Sequence, residues 1–321
     1  MEAFWVGLGI TAAVIAVLLL LLCGFIFNQL VWRRTIPLPR FLGKIIAGGG
    51  VRDDTYENAA AAALEHLKSL PLEEITLTAP DGAHLIARLL VPENPNGKAV
   101  LACHGSRSTG LQEFRFTAPD LYEKGYVVLM PDHRGCGDSD GKYMGYGTHE
   151  SKDSLLWVQY LEEHFPGMPI FLLGVSLGGA TVLMMSDRTE GTAVRGVIAD
   201  CAYTSAWAEF SYQLHTSFHL PDFPLLHLCD LYCRIFCGYS FRDASPIDAV
   251  RRAKVPILFV HGGDDLYVPY YMQGELYDAC VTAKEKLTVP GAVHARSFYT
   301  APEAYMAAME QFMEQCLGAK A

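Results

Sequence analysis

Short runs of continuous apolar residues, set between stretches of helical spacing, constrain this chain more than any other feature. Ala99 to Ala102, Tyr126 to Met130, Ile170 to Gly174 and Gly196 to Ala199 form four such runs, and Ile257 to Val260 and Lys286 to Val289 complete the set. A strand with one hidden face alternates apolar and polar residues, whereas a strand covered on both faces does not alternate. Ser151 to His164 and Tyr270 to Ala283, lying between runs, carry apolar residues at helical spacing. Strand and helix therefore alternate, which predicts the α/β class with a mostly parallel central sheet flanked by helices. Upstream, Glu74 to Thr78 and Leu85 to Val91 flank the turn dipeptide Asp81-Gly82 and predict a β-hairpin. Ligands of such sheets bind at the carboxyl ends of the strands.

From Ala3 to Trp32 there is no charged residue. About 20 apolar residues cross a hydrocarbon core of roughly 30 Å, so residues 1–32 predict a transmembrane helix. Glu2 as the one early charge does not suit a cleaved signal peptide. Trp5 and Trp32 mark the two interfaces, and Arg33, Arg34, Arg40 and Lys44 follow the apolar tract, which places the remainder on the cytoplasmic side. Residues 33–52, with Pro37, Pro39 and Gly48 to Gly50, predict a basic linker lying along anionic headgroups. Asp53 or Asp54 caps a helix that opens the main α/β domain, over 53–321. Since the apolar helix precedes every predicted core element, a chain lacking residues 1–50 is expected to fold and keep its chemistry.

A formal net charge of −10, with scattered basic residues, excludes a nucleic-acid partner and leaves small molecules or acyl groups as ligands. Nine cysteines without a pairing scheme read as reduced thiols. Cys229, Cys233 and Cys237 share a helical face near His227, but the spacing is not that of a zinc finger or ribbon, and buried thiols explain it better than a metal site. Nothing in the motifs below calls for a metal or a cofactor.

Gly174-Val175-Ser176-Leu177-Gly178 follows one strand run and precedes a helical stretch. A sharp strand-to-helix turn would lift Ser176 above the sheet, with glycines on either side removing Cβ atoms that would clash. A serine hydroxyl needs a base to take its proton. His294, after the last run, supplies one, and Asp265, in the loop after Ile257 to Val260, can hold the imidazole and stabilise its charged form. Asp264 is the adjacent rival acid and Asp200 a more distant one. A tetrahedral intermediate needs two donors aimed at its oxyanion, and the backbone N–H groups of Leu177 and Ser106 are the candidates. His104 and His261, each before a glycine at a strand end, read as structural.

These motifs resemble the α/β-hydrolase superfamily from about Glu73 to near the C-terminus, and the order Ser, Asp, His is the one that fold uses. Asp132-His133-Arg134-Gly135-Cys136-Gly137-Asp138-Ser139 is similar to the family's structural loop beside the active site, and Ser245-Pro246 before Val255-Pro256-Ile257 is similar to its approach to the acid-bearing strand. Bacterial membrane-anchored hydrolases, grouped with esterase or lipase-like and serine aminopeptidase-like proteins, give the nearest likeness. The resemblance implies acyl transfer to water and a cap inserted at about 203–243, rich in aromatic and aliphatic residues that either pack on the sheet or wall an acyl pocket. An ester or thioester hydrolase is the expectation, a serine peptidase the alternative, and a non-catalytic binding protein the rival of another class.

Overall fold

A computed structural model describes residues 1–35 and 53–318. The linker expected at 33–52 lies mostly outside the described residues, which contain only its first three positions and none of Arg40 or Lys44. An eight-stranded sheet organises the rest, in spatial order β1-β2-β4-β3-β5-β6-β7-β8. Its strands are β1 (Glu73–Thr78), β2 (His84–Leu90), β3 (Ala99–Cys103), β4 (Val127–Pro131), β5 (Ile170–Val175), β6 (Val194–Asp200), β7 (Ile257–Gly262) and β8 (Lys284–Val289). β1, β2 and β4 pair antiparallel, with Asp81-Gly82 turning the first hairpin, and all later pairings are parallel.

The continuous apolar runs follow from this placement. Leu101, Leu129, Leu172, Val197 and Phe259 enter one core, and their neighbours Val100, Val128, Phe171, Ile198 and Leu258 enter the other. Successive side chains in a strand point to opposite faces, so only a strand covered on both sides is apolar at every position. Helices do the covering, and the longer ones are α1 (Glu2–Val31), α2 (Asp54–Ser69), α3 (Glu150–His164), α4 (Leu177–Met185), α5 (Ala206–Ser217), α6 (Leu225–Cys237), α7 (Tyr271–Ala279) and α8 (Pro302–Gly318). Trp157, Val158 and Leu161 of α3 join the first core, and Met306, Met309 and Phe312 of α8 join the second. Asp53 caps α2 by accepting from the backbone N–H of Tyr56 at 3.1 Å. β8 departs from the other runs: it lies at the sheet edge, and only Val289 in it is buried.

The cap, α5 and α6, packs against α1 rather than over the sheet alone. Cys23, Phe27 and Val31 of α1 share a third core with Phe210, Leu226, Cys229 and Cys233. The thiols of α6 are thus buried, and Cys229 Sγ lies 3.7 Å from the Cys23 carbonyl. The last carbonyls of a helix have no partner within it. Here Leu30 accepts from Tyr146 Oη at 2.8 Å and Val31 from the Met144 N–H at 2.9 Å, while Arg107 binds the Gln29 carbonyl. Arg33 adds a backbone hydrogen bond to Lys142 and places its guanidinium on the carbonyls of Ser139 and Gly137.

This docking argues against the expectation that residues 1–50 are dispensable. Burying a side chain of the size of Val or Phe contributes about 1.5–3 kcal/mol, and removing α1 uncovers its partners in the cap as well. Deletion of residues 1–35 is expected to open the cap to proteolysis between Ala206 and Cys237. Limited proteolysis of the deletion beside the full chain in detergent checks this, and equal cleavage rates would refute it.

Candidate active site

β5 ends at Val175 and α4 begins at Leu177, so Ser176 alone makes the turn between them. Its backbone takes φ 55° and ψ −115°, a region non-glycine residues rarely adopt and keep only when their surroundings hold them. The Ser176 N–H donates to the Asp200 carbonyl at 2.8 Å, and the Ser176 carbonyl accepts from the Ala180 N–H at 2.9 Å. A Cβ at Gly178 would collide with the Cys103 carbonyl, and one at Gly174 with the Gly178 carbonyl. The two glycines let the helix lie this close to the strands.

His294, in the loop after β8, lies between Ser176 and Asp265. Its Nε2 is 2.9 Å from Ser176 Oγ and its Nδ1 is 2.7 Å from Asp265 Oδ2. Asp265, in the loop after β7, is 3% exposed, and its Oδ1 accepts from the N–H groups of Tyr267 at 2.9 Å and Val268 at 3.0 Å. Burial by itself would raise the Asp265 pKa, but hydrogen bonds from His261 and His294 outweigh it and bring the group down to about 2. Asp265 is therefore a carboxylate throughout the neutral range. Asp264 is exposed, and its backbone N–H donates to the Ala292 carbonyl. Asp200 accepts from Ser297 Oγ at 2.9 Å, and burial pushes its carboxyl up to about 6.

Leu177 opens α4, so its N–H is one of the first-turn donors with no acceptor inside the helix. Ser106 lies in the loop after β3, which passes alongside Ser176: a Cβ on Gly105 would sit 3.5 Å from the serine Cβ. That loop is fixed by Glu113, which accepts from the Gly105 N–H at 3.0 Å, and by His104, whose Nε2 accepts from the His133 N–H at 2.9 Å. The next residue, Arg107, reaches the carbonyls at the end of α1, so the helix is tied to the loop that carries Ser106. Asp132 organises the neighbouring loop by accepting from the N–H groups of Gly110 and Asp138, both at 2.9 Å.

Three residues at the site carry no motif that would have singled them out. The Cys201 Sγ, an Asp265 oxygen and a His294 nitrogen lie within 4.8 Å of one another. A thiol must lose its proton to ligate a metal, and burial pushes Cys201 well above the usual thiol range while His294 is engaged with Ser176. The Tyr267 ring lies 4.9 Å from that of His294. Glu209, on α5, is 5% exposed; Gln213 donates to its Oε1 at 3.0 Å, and its Oε2 has no hydrogen-bond partner among the described residues.

Burial pushes the Glu209 carboxyl from 4.5 up to about 8, with the Asp265 charge adding to the effect. Below the unfolded value both states hold the proton and nothing is lost. Between the two values only the folded state holds it, so stability falls as pH rises, by about 1.4 kcal/mol per unit. Glu209→Gln is expected to raise stability in detergent at pH 8.5 by a few kcal/mol and to change little at pH 4.5. Denaturant midpoints at the two pH values read this, and the same gain at both would count against a neutral buried carboxyl.

Residues 98–221 match the family model described as alpha/beta hydrolase fold. The chain is 28% identical over 224 residues to the uncharacterized protein YqkD of Bacillus subtilis (strain 168), covering 69% of this chain and 72% of that one. It is 27% identical over 190 residues to the lysophosphatidylserine lipase ABHD12 of Danio rerio, covering 58% and 48% respectively. Among solved structures, the Pyrococcus furiosus esterase PF2001 superposes with a TM-score of 0.63 at 22% identity, over 77% of this chain and 92% of the esterase.

Proposed function

This chain is an α/β-hydrolase-fold protein, and from that premise we propose that it is a serine hydrolase of carboxylic esters or thioesters. The observation that carries the reading is the hydrogen-bonded line from Ser176 Oγ to His294 Nε2 and from His294 Nδ1 to Asp265 Oδ2, at 2.9 and 2.7 Å. In the proposed reaction Ser176 Oγ attacks the carbonyl carbon and its proton passes to His294 Nε2. Asp265 holds the proton on Nδ1 and stabilises the imidazolium. The oxyanion is met by the N–H groups of Leu177 and Ser106. His294 then protonates the leaving alcohol or thiol, leaving an acyl-enzyme. Water attacks next, giving its proton to His294, which passes it to Ser176 Oγ as the acid is released.

A peptidase that captures a free amine would need a spare carboxylate near the site. Of the cap's acids, Asp230 is taken by Arg234, Ser240 and the Phe241 N–H, Asp222 by Ser211, and Asp243 by the Ser240 N–H. Glu209 has a spare oxygen, but its burial keeps it uncharged. An ester substrate fits this surface better.

The apolar helix Phe4–Val31 is long enough to span a bilayer, and we take it as a retained anchor. Cleaving it as a signal would strip Arg107, Tyr146 and Met144 of their partners and expose the cap core. The basic residues after it favour a cytoplasmic catalytic domain. A fluorophosphonate probe on the full chain in detergent tests the enzymatic reading: one adduct at Ser176 is expected, with p-nitrophenyl esters cleaved and the matching anilides left intact. Absence of the adduct in folded protein would end the proposal.

A further inference from the structure

Between the N-terminal helix and the cap runs a slot that the chemistry above leaves unused. It is a cavity of about 200 Å³, walled by Phe25, Ile26 and Leu30 of α1 and by Phe210, Leu214 and Leu226 of the cap. Tyr267 lines it too, and that ring is 4.9 Å from the imidazole of His294. Resting on the serine-hydrolase reading, we propose that this slot receives the acyl chain of a single-chain carboxylic ester, so that α1 forms one wall of the substrate site as well as the anchor.

Three features give the slot this occupant. Its volume falls below the roughly 300–1,000 Å³ of most small-molecule sites, which suits one slender chain better than a pair of chains. Its polarity is graded. Glu209 lies in the wall with Oε2 unpartnered, and Gln213 Nε2 joins Glu209 Oε1 to the Tyr267 carbonyl, at 3.0 and 2.5 Å. That places Glu209 and Gln213 beside Tyr267, on the side of His294 where the ester must lie, while Gln29 is the polar residue of the α1 wall. Finally, Phe218 and Leu220 line the slot and are at the same time 42% and 40% exposed. The slot thus has an apolar rim that reaches the surface, and the chain enters there.

Burial of α1 residues against the cap has an ordinary explanation in packing, and most of the third core is explained by it. Packing does not account for an unfilled space lined by both elements.

The test uses the full chain in detergent with p-nitrophenyl esters from acetate to decanoate. Each methylene that enters an apolar slot is expected to raise kcat/KM by about fourfold until the slot is full. Ile26→Trp and Leu214→Trp, filling the slot from opposite walls, are each expected to shift the optimum to shorter acyl groups and to lower the octanoate to acetate ratio at least tenfold. Ile26→Ala, which widens it, is expected to shift the optimum to longer ones. Because each ratio is read within one sample, loss of folded protein cancels. Labelling of the wild type by a small fluorophosphonate reports the nucleophile independently. A labelled enzyme whose chain-length profile is unmoved by the Ile26 variants overturns the slot proposal alone. An unlabelled one overturns the serine-hydrolase reading, and the slot proposal with it.

Discussion

Ester turnover by the Ser176→Ala protein is expected to fall about a million-fold, with the adduct to a fluorophosphonate lost altogether. With no hydroxyl there is no nucleophile for His294 to activate, and the remaining groups can only polarise the carbonyl. They would still give a rate above the uncatalysed one, because donors aimed at the oxyanion act without the serine. Alanine keeps a Cβ in the same strained backbone region, so the strain at φ 55° is neither relieved nor increased. What the fold loses is one hydrogen bond to His294, worth about 1 kcal/mol. Turnover and melting temperature therefore separate in this variant. A Ser176→Ala protein that keeps a tenth of its activity, or that still takes the label, would remove Ser176 from the mechanism.

The parts of the fold that were legible in sequence are those where one short segment experiences one environment. β3 to β7 are covered on both faces, so each announces itself as an apolar run, and the residues that follow each run carry the polar motifs of the site. β8 has a neighbour on one side only, and three charged residues, Lys284 and Glu285 half-buried and Lys286 exposed, blurred its start. The docking of α1 was invisible for a different reason. Cys23, Phe27 and Val31 recur every four residues and form a stripe, but the helix is apolar all round, so no contrast separates the side that meets the cap from the side left to lipid. Glu209 was hidden for a related reason. A glutamate in an amphipathic helix ordinarily marks the wet face, and here it is buried against a slot that forms only when α1, the cap and the loop after β7 come together. Long-range contact of this kind leaves no local pattern.

Two adjacent acids give the sharpest test of the geometry. Asp265→Asn is expected to lower turnover about ten-thousand-fold with little change in melting temperature. The asparagine oxygen can go on accepting from the Tyr267 and Val268 N–H groups, which fixes the side chain and turns its NH₂ toward His294 Nδ1. A donor there forces Nδ1 to become the acceptor and moves the imidazole proton to Nε2, facing Ser176. The histidine can then no longer take the serine proton, although every heavy atom is in place. Flipping the amide would restore the tautomer only by setting NH₂ against two backbone donors in a buried loop, at a cost of about 1–3 kcal/mol for each group left unpaired. Asp264→Asn meets none of these constraints, since its side chain is exposed and the interaction it makes across the loop runs through its backbone N–H. Its turnover is expected within twofold of wild type. Measured side by side on one ester, the larger loss from Asp264→Asn would show that the loop after β7 presents the other carboxylate to His294 during catalysis.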